Sequence, residues 1–261
     1  MLQRGSKKGQ VAIFIIVAIV IVALVIAFYA FRGKITLPFI TPSEINPSAF
    51  MADCLQDDIT STIETLSKQG GYMNPEGYIM YQGEKVKYLC YTAENFKRCV
   101  VQQPSIKTHF EEELTSVITS KVASCFDSLK SQYQSAGYSV SAGASASNIS
   151  IVPSAIRIDI LTPLTITKGE VTRTYSSFTS EIRSEMYDLL MIAGNIIEFE
   201  AFYGDSATDL YIQNYPNIKI NKIPLDDGSR IYTVSSIITK ESFTFASRSL
   251  VWPAGYGLEA K

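Results

Sequence analysis

The chain has 261 residues, a formal net charge of −2 and 46% hydrophobic residues. Its charges are unevenly placed: residues 1–34 hold five of the 23 basic residues and none of the 25 acidic ones, so the remainder carries 18 basic against 25 acidic residues. An acidic chain without Lys/Arg clusters matches nucleic-acid phosphates poorly, so the composition argues against DNA or RNA as a partner.

The first predicted element is a transmembrane helix at residues 11–31. These 21 residues contain no charge, glycine or proline, and at about 1.5 Å per residue they span roughly 30 Å, the thickness of the hydrocarbon core of a bilayer. The run is longer than the apolar region of a cleaved signal peptide. Arg4, Lys7 and Lys8 precede it, which predicts a cytoplasmic leader at residues 1–10 and an extracellular location for the rest. We therefore expect the lipid bilayer as a partner and the cell membrane as the location.

The residues before this run carry a family resemblance. Lys7-Lys8-Gly9-Gln10 followed by an apolar helix resembles the amino terminus of archaeal type IV pilin-like precursors, including archaellins. In that family a membrane peptidase cuts between Gly and Gln, which implies processing between Gly9 and Gln10, with other pilin-like or envelope proteins as partners. Bacterial type IV pilins carry a carboxylate where this chain has Phe14, and the glycines usual near the start of archaellin helices are missing. The resemblance therefore implies processing more than polymerisation.

A second resemblance covers the whole chain. It is similar to a group of uncharacterised membrane-anchored proteins of small-genome archaea, which share a basic-Gly-Gln anchor, a Cys-bearing helix and a turn like Gly70-Gly71-Tyr72. This second resemblance implies no activity.

A spacer and a helix are predicted after the anchor. Three prolines between residues 38 and 47 indicate a semi-rigid linker at residues 32–47. A helix capped by Ser48 and ended by Gly70 then opens a helix-rich part, residues 48–136. Its apolar positions recur at three- and four-residue steps: Met51, Leu55, Ile59, Ile63 and Leu66.

The remainder of the helix-rich part is predicted as a hairpin followed by a long helix. Two short strands are expected at residues 78–81 and 86–91, around a turn at Gly83-Glu84. The long helix starts after Pro104. Its expected apolar stripe consists of Ile106, Phe110, Leu114, Val117, Val122, Cys125, Phe126 and Leu129. A connector rich in Ser, Ala and Gly follows at residues 137–147.

Residues 148–252 are predicted to form a mostly antiparallel sheet that carries one long helix, with residues 253–261 as a tail. The expected strands are residues 156–160, 164–167, 171–175, either 209–213 or 218–223, 231–240 and 242–251. The helix is expected from Phe178 to Tyr203. The predicted fold class is therefore α+β: a transmembrane helix, then an extracytoplasmic domain with a helix-rich first half and a sheet-plus-helix second half.

The four cysteines all lie on the predicted outer side, which suits two disulfides in an oxidising space. Sequence allows three pairings, and our hypothesis joins Cys54 to Cys125, between two helices, and Cys90 to Cys99, which closes a local loop. Zinc binding would need closely spaced pairs of ligands. Spacings of 36, 9 and 26 residues with a single histidine do not supply them. Unpaired thiols are the other alternative.

Residues that carry chemistry form no recognisable catalytic, cofactor or metal motif, so no cofactor is expected. His109 is the only histidine, and it is predicted to face solvent beside the apolar stripe of its helix. There is no G-x-S-x-G, phosphate-loop or dinucleotide motif. Acidic residues cluster at Asp57-Asp58, Glu111-Glu112-Glu113, Glu198 with Glu200, and Asp226-Asp227. The calcium-loop spacing is missing, so Glu111 to Glu113 are interpreted as charge compensation at a helix amino terminus and Asp226-Asp227 as turn chemistry.

The sequence therefore predicts a single-pass, membrane-anchored surface protein with a structural or binding role in the cell envelope, with a pilin-like subunit as one form. Asn148 begins a glycosylation sequon that an exterior location would make usable. The competing hypothesis is a membrane-tethered extracytoplasmic enzyme, such as a hydrolase of envelope polymers. A cleft with converging carboxylates around His109 or Glu198 would favour the enzyme.

Overall fold

The computed structural model describes residues 16–26, 45–144 and 146–253. The chain divides into two units, Met1–Ile45 and Asn46–Lys261, and we call the second the main unit. Residues 16–26 are helical (α1). Among the described residues, no helix combines the length and apolar character needed to cross a bilayer. The predicted span at residues 11–31 lies partly outside the described residues, as does most of the linker; the leader, with its cut between Gly9 and Gln10, lies wholly outside them.

The main unit is α+β with mostly antiparallel sheets, as predicted. Its helices are α2 (Pro47–Lys68), α3 (Ile106–Ser135), α4 (Met186–Tyr203) and α5 (Asp209–Asn214). Its strands are β1 (Tyr78–Tyr81), β2 (Glu84–Tyr91), β3 (Val100–Val101), β4 (Ser139–Ala142), β5 (Ser147–Val152), β6 (Ala155–Ile160), β7 (Leu164–Lys168), β8 (Val171–Tyr175), β9 (Phe178–Arg183), β10 (Ile218–Pro224), β11 (Arg230–Ser236) and β12 (Ser242–Arg248).

These strands form one large sheet and two small ones. The large sheet has the order β1-β2-β12-β11-β10, with β3 also paired to β2. The small sheets are β4-β7-β8 and β5-β6-β9. All described pairings are antiparallel except that of β12 with β2. Because β2 and β12 come from residues 48–136 and 148–252 respectively, the two parts distinguished in the sequence meet in a single sheet.

Helices α2 and α3 pack against each other, and each buries one apolar stripe. On α3 the buried residue in the middle of the stripe is Ile118, whereas Val117, which was predicted there, is only half-buried. The reason is geometric. At 3.6 residues per turn, a step of four residues ends about 40° from the direction of Leu114, whereas a step of three ends about 60° from it.

Two local predictions about helix and turn ends are corrected. Asn46, not Ser48, caps α2: its Oδ1 accepts a hydrogen bond from the Ala49 amide at 3.2 Å. Pro47 then takes the first helical position, where its missing N–H has no intrahelical partner to lose. The β1–β2 turn is formed by Gln82 and Gly83, both with positive φ, which suits the twist of a two-residue hairpin.

The largest correction concerns residues 178–185. Phe178 and Ile182 were predicted on the long helix, but they lie in β9, which pairs with β6 along its whole length. A spacing of four residues fits both a helix and a strand. Ser180, between the two, is also buried, as a strand requires, and it donates a hydrogen bond to the Ser48 carbonyl at 2.8 Å. The long helix α4 therefore begins only at Met186.

Two further strands were not predicted, and a third segment decides between two predicted alternatives. Strand β4 (Ser139–Ala142) lies within the connector predicted at residues 137–147. It was missed because it is only four residues long and its apolar residues, Val140 and Ala142, are small. Strand β5 was also missed. Of the two alternatives for the next strand, residues 218–223 are correct, while Asp209–Asn214 form the short helix α5.

The four cysteines form two disulfides, Cys54–Cys125 and Cys90–Cys99. These are the two pairs selected from the sequence. The first joins α2 to α3, across a sequence separation of 71 residues, and the second closes the segment between β2 and β3, with a separation of 9.

Gly204, which ends α4, supports a first prediction. It adopts φ +84°, and a Cβ at this position would lie 2.6 Å from the Cβ of Leu250. We expect Gly204→Ala to lower the free energy of unfolding by about 1–3 kcal/mol, because backbone strain and a steric clash add. Chemical denaturation measures the loss. Gly83→Ala is the matched control, since Gly83 has φ +88° but no neighbour within 4 Å. Equal losses in the two variants would contradict a contribution from the clash.

Candidate functional site

The carboxyl end of α4 is held by a buried carboxylate. Glu200 is fully buried. Its side chain accepts hydrogen bonds from Arg230 Nη1 at 2.8 Å, from Ser247 Oγ at 3.0 Å and from the hydroxyl of Tyr232. Its backbone carbonyl accepts a further bond from Ser249 Oγ at 2.8 Å. Because Arg230 and Tyr232 lie on β11 and Ser247 on β12, one residue of α4 ties the helix to two strands.

The electrostatics of Glu200 indicate a positioning role. Burial raises the pKa of its carboxyl above the ordinary value, although the bonds from Tyr232, Arg230 and Ser247 oppose the rise. Burial and the neighbouring Glu200 also raise the pKa of Tyr232. A carboxylate with no exposed surface and three donors around it cannot reach a substrate. We therefore assign Glu200 to the support of the site and not to its chemistry.

The same network fixes the loop that follows α4. Arg230 Nη1 also donates to the Gly204 carbonyl at 3.0 Å. Asp205 forms an ion pair with Lys222, lies 4.0 Å from Arg230 Nε, and accepts a hydrogen bond from the Ser206 amide at 2.8 Å. Since Lys222 belongs to β10 and Arg230 to β11, the loop between α4 and α5 is fixed to the large sheet.

Asp205 supports a prediction about acid stability. Burial alone would raise the pKa of its carboxyl, but Lys222 and Arg230 outweigh burial and lower that pKa below its ordinary value. Such a group stabilises the fold above the pKa of the unfolded chain, about 3.9, and its contribution is lost as the pH falls through the folded pKa. We expect Asp205→Asn to destabilise the protein at about pH 6 and less at about pH 2.5.

Urea denaturation at the two pH values tests this expectation. Asp209→Asn, in the exposed first turn of α5, controls for the general effect of removing a carboxylate. An equal loss of stability at both pH values for Asp205→Asn would contradict the ion-pair explanation.

An exposed aromatic surface lies directly over this supported region. We define the aromatic surface as Phe199, Phe202 and Tyr203 on α4 with Tyr211 and Tyr215 at α5. Phe202 is 64% exposed and Tyr203 62%. The rings of Phe199 and Tyr203 are stacked, with centroids 5.5 Å apart, and those of Phe202 and Tyr203 meet edge to face at 4.7 Å. Large exposed apolar patches commonly mark interaction sites.

Two concave regions are formed on the aromatic surface. The outer groove, about 520 Å³, is lined by Val101, Glu198, Phe199, Ala201, Phe202 and Tyr203. The aromatic pocket, about 300 Å³, is lined by Asn195, Phe199, Ser206, Ala207, Leu210, Tyr211, Asn214 and Tyr215. Phe199 lines both regions, so the groove and the pocket share one wall.

The aromatic surface was not identified from the sequence, although a signal was present. The periodicity assigned Leu189, Ala193 and Ile197 to the buried face of α4. A second apolar series on the same helix, Met191, Phe199 and Phe202, lies on the exposed face. A helix that is apolar on two faces has more apolar surface than one sheet can cover. This excess in α4 predicts either a second covering element or an exposed binding face.

His109 does not lie where it was predicted. Its side chain is only 15% exposed, and its ring lies on that of Tyr72 with centroids 4.0 Å apart. Burial lowers the pKa of His109, although Glu113 opposes the shift. Glu113 accepts a hydrogen bond from the Met73 amide at 3.2 Å. The turn after α2 therefore covers His109, a contact between distant segments that helix periodicity does not reveal.

The remaining acidic clusters have partners in their own turn or on another element. Glu111 lies beyond the first turn of α3, so the prediction of helix-end compensation is wrong, and it accepts a hydrogen bond from the Ile151 amide at 2.7 Å. Asp227 accepts hydrogen bonds from the amide and the hydroxyl of Ser229, both at 2.9 Å, as turn chemistry requires. Asp58 pairs with Lys121 at 3.1 Å. Within the described residues no group of three or more candidate ligands could hold a metal ion.

Asn148, the sequon residue, is exposed on β5. The structure leaves its side chain accessible for the predicted modification.

Comparisons with known proteins identify no relative. No protein-family model, no curated protein and no solved structure matches the chain.

Proposed function

We propose that the protein is a single-pass, membrane-anchored surface protein whose main unit binds a component of the cell envelope. The observation that carries the binding role is the aromatic surface of α4 and α5, which is exposed and contains two concave regions. Concave sites with apolar walls and a few polar groups are typical of ligand recognition. The network around Glu200 and Arg230 holds this surface in place from behind.

The disulfides and the amino-terminal sequence support the location. All four cysteines are paired, and disulfides persist in oxidising compartments outside the cytoplasm. The apolar run at residues 11–31, with basic residues before it, supports an anchor whose amino terminus lies in the cytoplasm. In the pilin-like form of the proposal, the leader is cut between Gly9 and Gln10 and the apolar helix packs against other pilin-like subunits.

Binding has more support than hydrolysis. Hydrolysis of glycosidic bonds normally needs two carboxyl groups across a cleft, about 5–9.5 Å apart. Of the described residues that line the outer groove, Glu198 alone is acidic. Glu200 is two residues away, but it points inward and is fully buried beside Arg230. A groove with one available carboxylate suits recognition better than the acid/base chemistry of a hydrolase.

Membrane fractionation and surface proteolysis test this proposal in cells that produce the full-length protein. We expect the chain to remain in membranes after an alkaline carbonate wash. Protease added to intact cells should digest the main unit, and lysed cells serve as the control. Release by the wash, or digestion only after lysis, would contradict the proposal. The amino terminus of the recovered protein is determined in the same experiment: Gln10 supports pilin-like processing, whereas Met1 or Leu2 supports an ordinary anchor.

A further inference from the structure

The aromatic pocket between α4 and α5 combines flat rings with uncharged polar groups. Phe199, Tyr211 and Tyr215 provide the rings, and Asn195 and Asn214 provide amides. A tyrosine or phenylalanine ring offers a flat apolar face, and the tyrosine hydroxyl adds a polar tip. The pocket therefore presents apolar and hydrogen-bonding surfaces side by side.

The polar groups of the pocket are available to a ligand. The Nδ2 of Asn195 donates to the Met191 carbonyl at 3.3 Å, and that of Asn214 to the Leu210 carbonyl at 3.0 Å. Each amide makes this bond within its own helix and keeps its Oδ1, together with a second N–H, for a further partner. Both side chains are exposed.

Ser206 adds a buried hydroxyl beside that of Tyr211. The residue is 2% exposed, and its Oγ meets no described residue in standard hydrogen-bond geometry. Burial raises the pKa of the Tyr211 hydroxyl, and a hydrogen-bonding interaction with Ser206 opposes that rise. Because its Oγ has almost no exposed surface, Ser206 supports Tyr211 and does not bond a ligand directly.

None of the described residues that line the aromatic pocket is charged. A second cavity, beside α2, is different: Lys68, Arg183, Lys240 and Glu241 line it. An anionic ligand would lose its hydration in the aromatic pocket without gaining an opposite charge, and Glu198, whose charge acts on Tyr211, would repel it. A cationic ligand would find no carboxylate among the described lining residues. A purely apolar ligand would bury the two amides without partners. The lining therefore favours a neutral ligand with both apolar faces and hydroxyl groups.

We propose that the aromatic pocket binds a neutral sugar ring, and that the envelope component recognised by the main unit is a neutral glycan. A sugar ring presents C–H groups on its faces and hydroxyl groups at its edge, which match the aromatic rings and the amides respectively. That the glycan belongs to the cell envelope rests on the proposed function. That the ligand is a neutral sugar rests on the residues of the pocket alone.

The outer groove extends the site to a second sugar. Because Phe199 lines both concave regions, a sugar chain that leaves the pocket passes over this ring toward Phe202 and Tyr203. A disaccharide should therefore bind more tightly than either of its monosaccharides.

Binding is tested on the full-length protein in lipid nanodiscs, because maltoside detergents would themselves present sugar headgroups. The probes are glucose, galactose, mannose and N-acetylglucosamine with their β-linked disaccharides, and glucuronate is the charged comparator. Saturation-transfer NMR detects contact and titration gives the dissociation constant. We expect neutral sugars to bind with constants on the order of millimolar, disaccharides to bind more tightly, and glucuronate to bind least.

Two pocket variants and one matched control make the test specific. Tyr215→Ala should weaken binding about tenfold through the loss of a ring face, and Asn214→Ala about three- to tenfold. Tyr78→Ala replaces an exposed tyrosine on β1, outside the pocket, and should leave binding unchanged.

The outcomes separate this inference from the proposed function. Absence of binding by every neutral sugar, preference for glucuronate, or equal weakening by Tyr78→Ala would overturn it. If no sugar binds and the protein instead self-associates in a way that Phe202→Ala abolishes, the surface belongs to a second copy of the chain. Surface proteolysis gives a separate result. If the chain binds sugar but is not exposed on cells, the proposed location is wrong and the sugar specificity of the pocket still holds.

Discussion

Replacing Glu200 with alanine should lower the free energy of unfolding by about 3–5 kcal/mol, because the change removes the buried carboxylate that pairs with Arg230 and leaves this largely buried arginine only the Gly204 carbonyl and the more distant Asp205. The side chain of Arg230 is 19% exposed, and the carboxylate it would lose is fully buried. The hydroxyls of Tyr232 and Ser247 would lose their acceptor at the same time. Glu200→Gln should cost less, since the amide oxygen can still accept hydrogen bonds while the charge is lost.

Urea denaturation of the full-length chain measures this loss. Glu198→Ala is the matched control, because Glu198 lies two residues earlier on the same helix and is exposed. A substitution at an exposed helical site should change stability by about 0.5 kcal/mol or less. A similar effect of Glu198→Ala and Glu200→Ala would show that the network contributes no more than a surface carboxylate.

Removal of the Cys54–Cys125 disulfide should be the other large effect. In the chain-entropy description, the stabilisation grows with the length of the closed segment. A separation of 71 residues corresponds to about 4 kcal/mol, and one of 9 residues to about 2.5 kcal/mol. The double variant Cys54→Ala/Cys125→Ala should therefore lose more stability than Cys90→Ala/Cys99→Ala.

The second double variant is the control for the first, since each removes one disulfide and two sulfur atoms. Alanine is preferred to serine because Cys90, Cys99 and Cys125 are buried. Denaturation under non-reducing conditions gives both losses, and wild type under reducing conditions gives their combined effect. A larger loss for the pair that closes the short segment would contradict the entropic explanation.

Much of the helical part of the fold was predictable from the sequence. Apolar residues at three- and four-residue steps identified α2 and α3, and the end predicted for the later long helix, Tyr203, is the end of α4. The disulfide pairs were a hypothesis chosen among three pairings, with Cys54 and Cys125 placed on two helices, and the structure has the same pairs. The helices depend on neighbours within one or two turns of the chain, which a sequence displays directly.

The candidate site was harder to predict from the sequence. Phe178 and Ile182 are four residues apart, and that spacing is compatible with either a helix or a strand until the partner strand β6 is known. The acidic pair Glu198 and Glu200 looked like a single cluster, yet one side chain faces solvent and the other is fully buried. Only the position of Arg230, 30 residues later in the chain, explains why that burial is tolerated.

The sequence by itself determined the apolar amino-terminal run, the periodic helices, the alternating strands β6 and β7, and the cysteines available for pairing, because each is a local pattern of residue types. The tertiary structure decided which apolar face of α4 is covered and which remains exposed as the aromatic surface. It also decided that His109 lies under Tyr72 and that Asn195, Ser206 and Asn214 share one pocket. Burial and proximity depend on segments far apart in the chain, so no local pattern of residues specifies them.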